Sequence, residues 1–204
     1  VTISGITGDG TLGISIAAGT AADAAGNTAP AVGPSAAFTV DNTGPAVSIS
    51  AASASVTKSG PVIYTVTYTG ADAVTLATAN VTLNKTGTAN GTVAVSGTGT
   101  STRTVTISGI TGDGTLGISI AAGTATDTAG NSAAAAGPSA TFTVDNTAPA
   151  IAIGAPSATI TKGGPVTDTI TYTGASSVPL ASGNVTLNKT GIRKRDGEGK
   201  RVDR

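Results

Sequence analysis

Aspartate is the one side chain here that recurs in a pattern able to do chemistry. Residues 1–191 carry eight Asp and no Glu. Six of the eight form three pairs 104 residues apart: Asp9 and Asp113 in TGDG, Asp23 and Asp127 in D-x-A-G-N, Asp41 and Asp145 in VDNT. Asp72, Asn42 and Asn131 add further side-chain oxygens in turn-like contexts. Oxygen donors drawn from several loops suit Ca²⁺, which takes about six to eight of them in flexible geometry. The same residue types before Gly or Thr also build Asx turns, in which the side chain binds its own backbone. Ion binding and turn locking therefore compete for Asp9, Asp41, Asn42, Asp72, Asp113, Asp127, Asn131 and Asp145.

Other chemistry lacks its parts. The 204 residues contain no His and no Cys. A Ser–His–Asp triad, an imidazole ligand and a thiolate nucleophile are all excluded. The Gly-rich segments are not followed by the G-K-[ST] of a phosphate loop. The acids lie at Gly-rich turns, with few large side chains to wall a cleft between paired carboxylates. The expectation is a protein that is not an enzyme.

The elements that position these aspartates are set by an internal repeat. Val1–Gly87 aligns without a gap on Val105–Gly191, with 65 of 87 positions identical. A period this long marks whole domains in tandem, not a solenoid of short units. One full unit runs over 44–147. Residues 1–43 carry the C-terminal half of a preceding unit, and 148–191 the N-terminal half of a third. Period-2 alternation predicts strands at 47–50, 62–69, 81–84, 93–95, 105–107, 116–120 and 142–144. In 62–69, Val62, Tyr64, Val66 and Tyr68 share one face, and the two Tyr rings are expected to point inward. The Ala-, Gly- and Ser-rich stretch 122–139 reads as one long loop. Seven short strands in about one hundred residues predict an all-β fold, an immunoglobulin-like β-sandwich repeated in tandem.

That topology places the aspartates. Antiparallel strands bring the loop of Asp113 to the pole where the last strand ends at Asp145. Asp9 and Asp41 meet likewise in the preceding unit. The loops of the next unit then bring Asp72, Asp127 and Asn131 toward Asp9, Asp41 and Asn42. An interdomain Ca²⁺ there would neutralise the carboxylates and stiffen the hinge.

Only five residues are aromatic, so the core must be built from Val, Ile, Leu and Ala. Residues 1–191 have a net charge of −3, from eight Asp against five Lys or Arg. This gives no reason to expect a nucleic-acid partner. No apolar run approaches the ~20 residues of a membrane span. Residues 192–204, IRKRDGEGKRVDR, resemble nothing before them. Read one base out of frame with CGN arginine codons, they permit ASGNGTVRVSGST, close to GTANGTVAVSGTG at 87–99. A frame slip near Gly191 is expected, or else a charged unordered tail.

The D-x-A-G-N and F-T-V-D-N-T-x-P motifs (Phe38–Pro45, Phe142–Pro149), with the period, resemble the tandem bacterial immunoglobulin-like domains of large surface or secreted adhesins. The resemblance covers residues 1–191. It implies an extracellular or cell-surface location and a structural or adhesive role as an extender. Its partners would be neighbouring repeats, with host glycans or proteins met by distant domains; calcium between domains occurs in related groups. Direct glycan or host-surface binding, and spacer repeats in a secreted enzyme, are the alternatives.

Overall fold

Alternating side chains decide the architecture. In Val62–Thr69 every second residue is buried and every other one exposed, as expected of a strand with one face on a core. The computed structural model describes residues 1–191; the tail at 192–204, where the frame slip was expected, lies outside the described residues. The chain divides into two units, Val1–Thr147 and one that begins at Ala148. Residues 1–43 thus belong to the same unit as the complete repeat.

In chain order the strands are β1 (Gly10–Leu12), β2 (Phe38–Val40), β3 (Ala46–Ile49), β4 (Val56–Thr57), β5 (Val62–Thr69), β6 (Ala73–Val74), β7 (Val81–Lys85), β8 (Asn90–Ser96), β9 (Thr102–Thr111), β10 (Gly114–Ile120), β11 (Ala125–Thr126), β12 (Phe142–Val144), β13 (Ala150–Ile153) and β14 (Ile170–Thr173). The complete repeat is an all-β sandwich. One four-stranded sheet has the order β3-β5-β9-β8, the other β4-β12-β10-β7. Every pairing in the two sheets is antiparallel except that of β4 with β12.

The core lies between the sheets. Tyr64, Val66, Val105, Ile107, Leu116 and Ile118 are fully buried, with Val62, Ile120, Phe142 and Val144 almost as deep. Each such side chain contributes about 1.5–3 kcal/mol by leaving water. The two Tyr rings do point inward, and both hydroxyls find partners. Tyr64 packs on Phe142 at 6.4 Å between ring centroids, and its O–H donates to the Ala140 carbonyl at 2.8 Å. Tyr68 donates to Thr124 Oγ1 at 2.9 Å. Burial raises the Tyr64 pKa, which keeps that donor protonated. Arg103, also buried, closes one end of the core; its guanidinium donates to the carbonyls of Gly99, Thr102 and Val74 at 2.8–2.9 Å. Among the described residues no buried polar side-chain atom lacks a partner.

The stretch 122–139 departs from the expected single loop. It runs out and back as a narrow ladder: β11 pairs β6, Thr126 bridges Ser132, and Ile120 bridges Ala136. Small side chains carry no apolar period, but their backbone groups still need partners. Ala125, Ala133 and Thr124 are buried as a result. Among the described residues no helix is long and apolar enough to cross a membrane.

The second unit pairs β13 with β14, Ala150 opposite Thr173 and Ile153 opposite Ile170. The central sandwich pairs β3 with β5 in the same register, Ala46 opposite Thr69 and Ile49 opposite Val66.

Because Tyr64 fills the centre of a core poor in aromatics, Tyr64→Ala is expected to cost about 3–5 kcal/mol. Tyr64→Phe, which loses only the hydroxyl bond, is expected to cost about 1 kcal/mol. Urea unfolding of the two variants against the parent chain measures both.

Candidate functional site

The TGDG turn is shaped by its glycines. Gly112 (φ 75°) and Gly114 (φ 143°) lie in the region that side chains disfavour. A Cβ on either would stand 2.1 Å from a carbonyl oxygen, that of Thr88 or of Thr86. The turn between β9 and β10 is thereby pressed against the end of β7, and Asp113 is held at the tip.

There Asp113 meets the segment that leaves β12. Asp113 Oδ1 accepts the Asn146 backbone N–H at 2.5 Å, and Asn146 Nδ2 donates to the Gly112 carbonyl at 2.6 Å. Asp145 Oδ1 accepts the Thr147 N–H at 3.0 Å, closing an Asx turn. The preceding repeat shows the same clasp. Asp9 Oδ1 accepts from the Asn42 N–H at 2.5 Å, Asn42 Nδ2 donates to Gly8 O at 2.5 Å, and Asp41 Oδ1 accepts from the Thr43 N–H at 3.0 Å. Here the Thr43 hydroxyl adds a bond to Asp9 Oδ2 at 2.7 Å. The expected meetings of Asp9 with the Asp41–Asn42 segment, and of Asp113 with the Asp145 segment, are both present.

The D-x-A-G-N loop is locked by its own ends. Asp127 Oδ1 accepts the Asn131 N–H and Oδ2 accepts Asn131 Nδ2, both at 2.9 Å. Asp23 and Asn27 make the same pair of bonds. Asn131 Nδ2 also donates to the Asp41 carbonyl at 3.0 Å, so the loop of the complete repeat reaches the exit of the preceding one. Gly44 makes this approach possible: a Cβ there would lie 2.5 Å from the Ser132 carbonyl oxygen. Asp72 accepts the Thr128 hydroxyl at 2.6 Å and braces the loop from the other side.

The junction therefore holds Asp41, Asn131 and, through Asn131, Asp127, while Asp9 and Asn42 clasp the linker itself. Asp113 and Asp145 lie at the opposite exit of the same sandwich. Among the described residues no group of three or more carboxylates is placed to hold one metal ion. The bonds that the carboxylates do make are those of turns and loop closures. Thr43, Asn146 and Thr128 complete these networks without having been singled out from the sequence. The first two were legible in the repeated VDNT motif; Thr128 was not, because Ala24 occupies its place one repeat earlier.

Three of these carboxyls are held below the usual carboxylate range. The Asn42 N–H and then the Thr43 hydroxyl act on Asp9; the Asn27 side chain and N–H act on Asp23; the Asn131 side chain acts first on Asp127. A lowered folded pKa means that folding favours the ionised form. The stability so contributed is complete above the ordinary value near 3.8 and is lost as pH falls through the lowered folded values. Melting curves between pH 7 and pH 2 are expected to stay flat until about pH 4 and then fall; Asp127→Asn is expected to lower the plateau and shallow the acid limb.

Comparison with protein-family models, with curated proteins and with solved structures finds no match for this chain.

Proposed function

We propose that this chain is a non-catalytic structural module of a bacterial extracellular adhesin, in which immunoglobulin-like sandwiches in series act as a rigid extender. The observation that carries this reading is the junction between residues 1–43 and the complete repeat. The linker Asn42–Pro45 is clasped by Asp9, crossed by the Asn131 bond to Asp41, and pressed against Ser132 at Gly44. Pro45 restricts the residue before it as well as itself. A linker held at each of these points bends little. The sheet orders β3-β5-β9-β8 and β4-β12-β10-β7 support the immunoglobulin-like part of the reading. The absence of His and Cys supports the non-catalytic part.

Direct glycan binding by the repeat draws less support. Sugar-binding faces commonly offer an aromatic ring, and Tyr64, Tyr68 and Phe142 are all buried. The extracellular location rests on the resemblance of the repeat motifs alone.

Calcium is not needed for this stiffness. An ion at the first junction would compete with the N–H and O–H groups that already bond to Asp9 and Asp127. Millimolar Ca²⁺ is accordingly expected to leave the melting temperature of the 204-residue chain unchanged relative to chelator. A rise would restore the ion as the hinge element.

The extender itself is tested by small-angle scattering from arrays of two, four and eight repeats. Maximum dimension is expected to grow in proportion to repeat number, and replacing Asn131 and its counterparts with Ala to reduce it. Growth as a flexible chain in the parent arrays would reject the reading.

A further inference from the structure

Asn90 differs from every other asparagine of this chain in the residue that follows it. Of the nine Asn, only Asn90 precedes Gly; the others precede Thr, Ser, Val or Lys. A following side chain crowds its own backbone nitrogen, and Gly91 has none. Asn90 is exposed and opens β8, an outer strand of its sheet. The ladder to β9 is irregular at this point: Asn90 pairs Thr111 and Thr92 pairs Ser108, with a register shift between them. Gly109, at φ 57°, lies in the extra span of β9 and supplies the left-handed residue of a bulge. Gly91 itself has no room for a side chain, since a Cβ there would stand 2.8 Å from Ile107 Cγ2.

Asn90 also faces a cation. Lys85 Nζ donates to Asn90 Oδ1 at 3.2 Å. Lys85 ends β7 and Asn90 begins β8, so the connection between the two sheets sets this contact. That connection is pinned. The Thr86 N–H donates to the Thr115 carbonyl at 3.0 Å, the Thr88 N–H to the Asp113 carbonyl at 2.8 Å, and Ala89 is buried. Asp9–Gly10 and Asp113–Gly114 share the bare glycine but not the electrophile. Their carboxylates already accept backbone N–H groups from Asn42 and Asn146, and an ionised carboxylate resists attack by a nitrogen.

We propose that Asn90–Gly91 is a self-modifying site, at which a slow deamidation is assisted by Lys85. The Gly91 nitrogen attacks Asn90 Cγ and loses its proton to water. The carbonyl electron pair moves onto Oδ1, and the Lys85 ammonium stabilises the resulting oxyanion. The oxyanion collapses and expels Nδ2, which leaves as ammonia with a proton from water, and a cyclic imide remains. Water opens that imide at Cγ to give aspartate, or at the main-chain carbonyl to give isoaspartate. One water is consumed and one ammonia released, with no oxidant or reductant. The attack needs a local opening of the strand, which the outer position of β8 and the bulge opposite Gly91 permit. The product places a carboxylate beside Lys85, on a strand, NGTVAVS, that carries no charge of its own. Charge on an outer strand blocks edge-to-edge pairing.

The test is incubation of the 204-residue chain in mildly alkaline buffer, with peptide mass spectrometry at intervals. Asn90 is expected to gain the mass of amide-to-acid conversion ahead of every other Asn, as a mixture of aspartate and isoaspartate. Lys85→Met, which keeps an exposed stem and removes the charge, is expected to slow the conversion about two- to fivefold, the effect of an exposed charge pair. Lys85→Arg is expected to retain the parent rate. Concentrated salt is expected to erase the difference between the parent and Lys85→Met. In urea, where Lys85 is no longer held on Asn90, the two are expected to react alike. Asn90→Gln, which would need a larger ring, is expected to stay unmodified. An Asn90 that keeps its amide in the folded chain while reacting in urea overturns the site. Equal rates for the folded parent and Lys85→Met at low salt overturn the part given to Lys85.

Discussion

A strand makes no hydrogen bonds within itself, and that constraint governs this protein. Each ladder needs a partner, and here the decisive partners are distant in sequence. β5 is held by β9, and β7 by β10, between residues that stand from 31 (Lys85 with Leu116) to 45 (Val62 with Ile107) positions apart. These two pairings, one in each sheet, hold the halves of a repeat together. Where they exist, Val62, Tyr64, Val105, Ile107, Leu116 and Ile118 close into a dry layer. Where they do not, the same kinds of residue stand in water.

The polar networks depend on that closure. The TGDG turn can clasp the departing linker only because β9, β10 and β12 end at one pole. Asp113 and Asp145 then spend their oxygens on backbone N–H groups that would otherwise lie unpaired at a chain exit. The D-x-A-G-N loop is closed on itself by Asp127 and Asn131, and that closure aims the Asn131 amide at the Asp41 carbonyl. The carboxylates thus act as local struts. A mildly acidic, Gly-rich surface fits this use, since short polar side chains in tight turns replace the larger core that a chain with five aromatic residues does not have.

Much of the strand layout was legible in the chain. Val62–Thr69 alternates so regularly that its limits, its buried face and the inward aim of both Tyr rings follow from period alone. The antiparallel logic that brought Asp9 to the Asp41–Asn42 segment and Asp113 to the segment of Asp145 followed from strand count. What escaped were elements without an apolar period. β4, β6 and β11 are two residues long and exist through backbone pairing. Thr128 and Arg103 act through contacts with Asp72 and with the carbonyls of Val74, Gly99 and Thr102, which no local pattern announces.

By itself, the sequence determined the repeat, the all-β class, the inward residues and the loops that carry aspartate, because each depends on composition or on spacing along the chain. Only the tertiary structure decided which copies of a segment become strands and where the aspartate oxygens point. VTLNKTG carries the half-buried edge strand β7 at 81–87 and is an irregular exposed segment at 185–191. The two copies differ in nothing but the neighbours that supply hydrogen bonds and cover, and neighbours are a property of the fold.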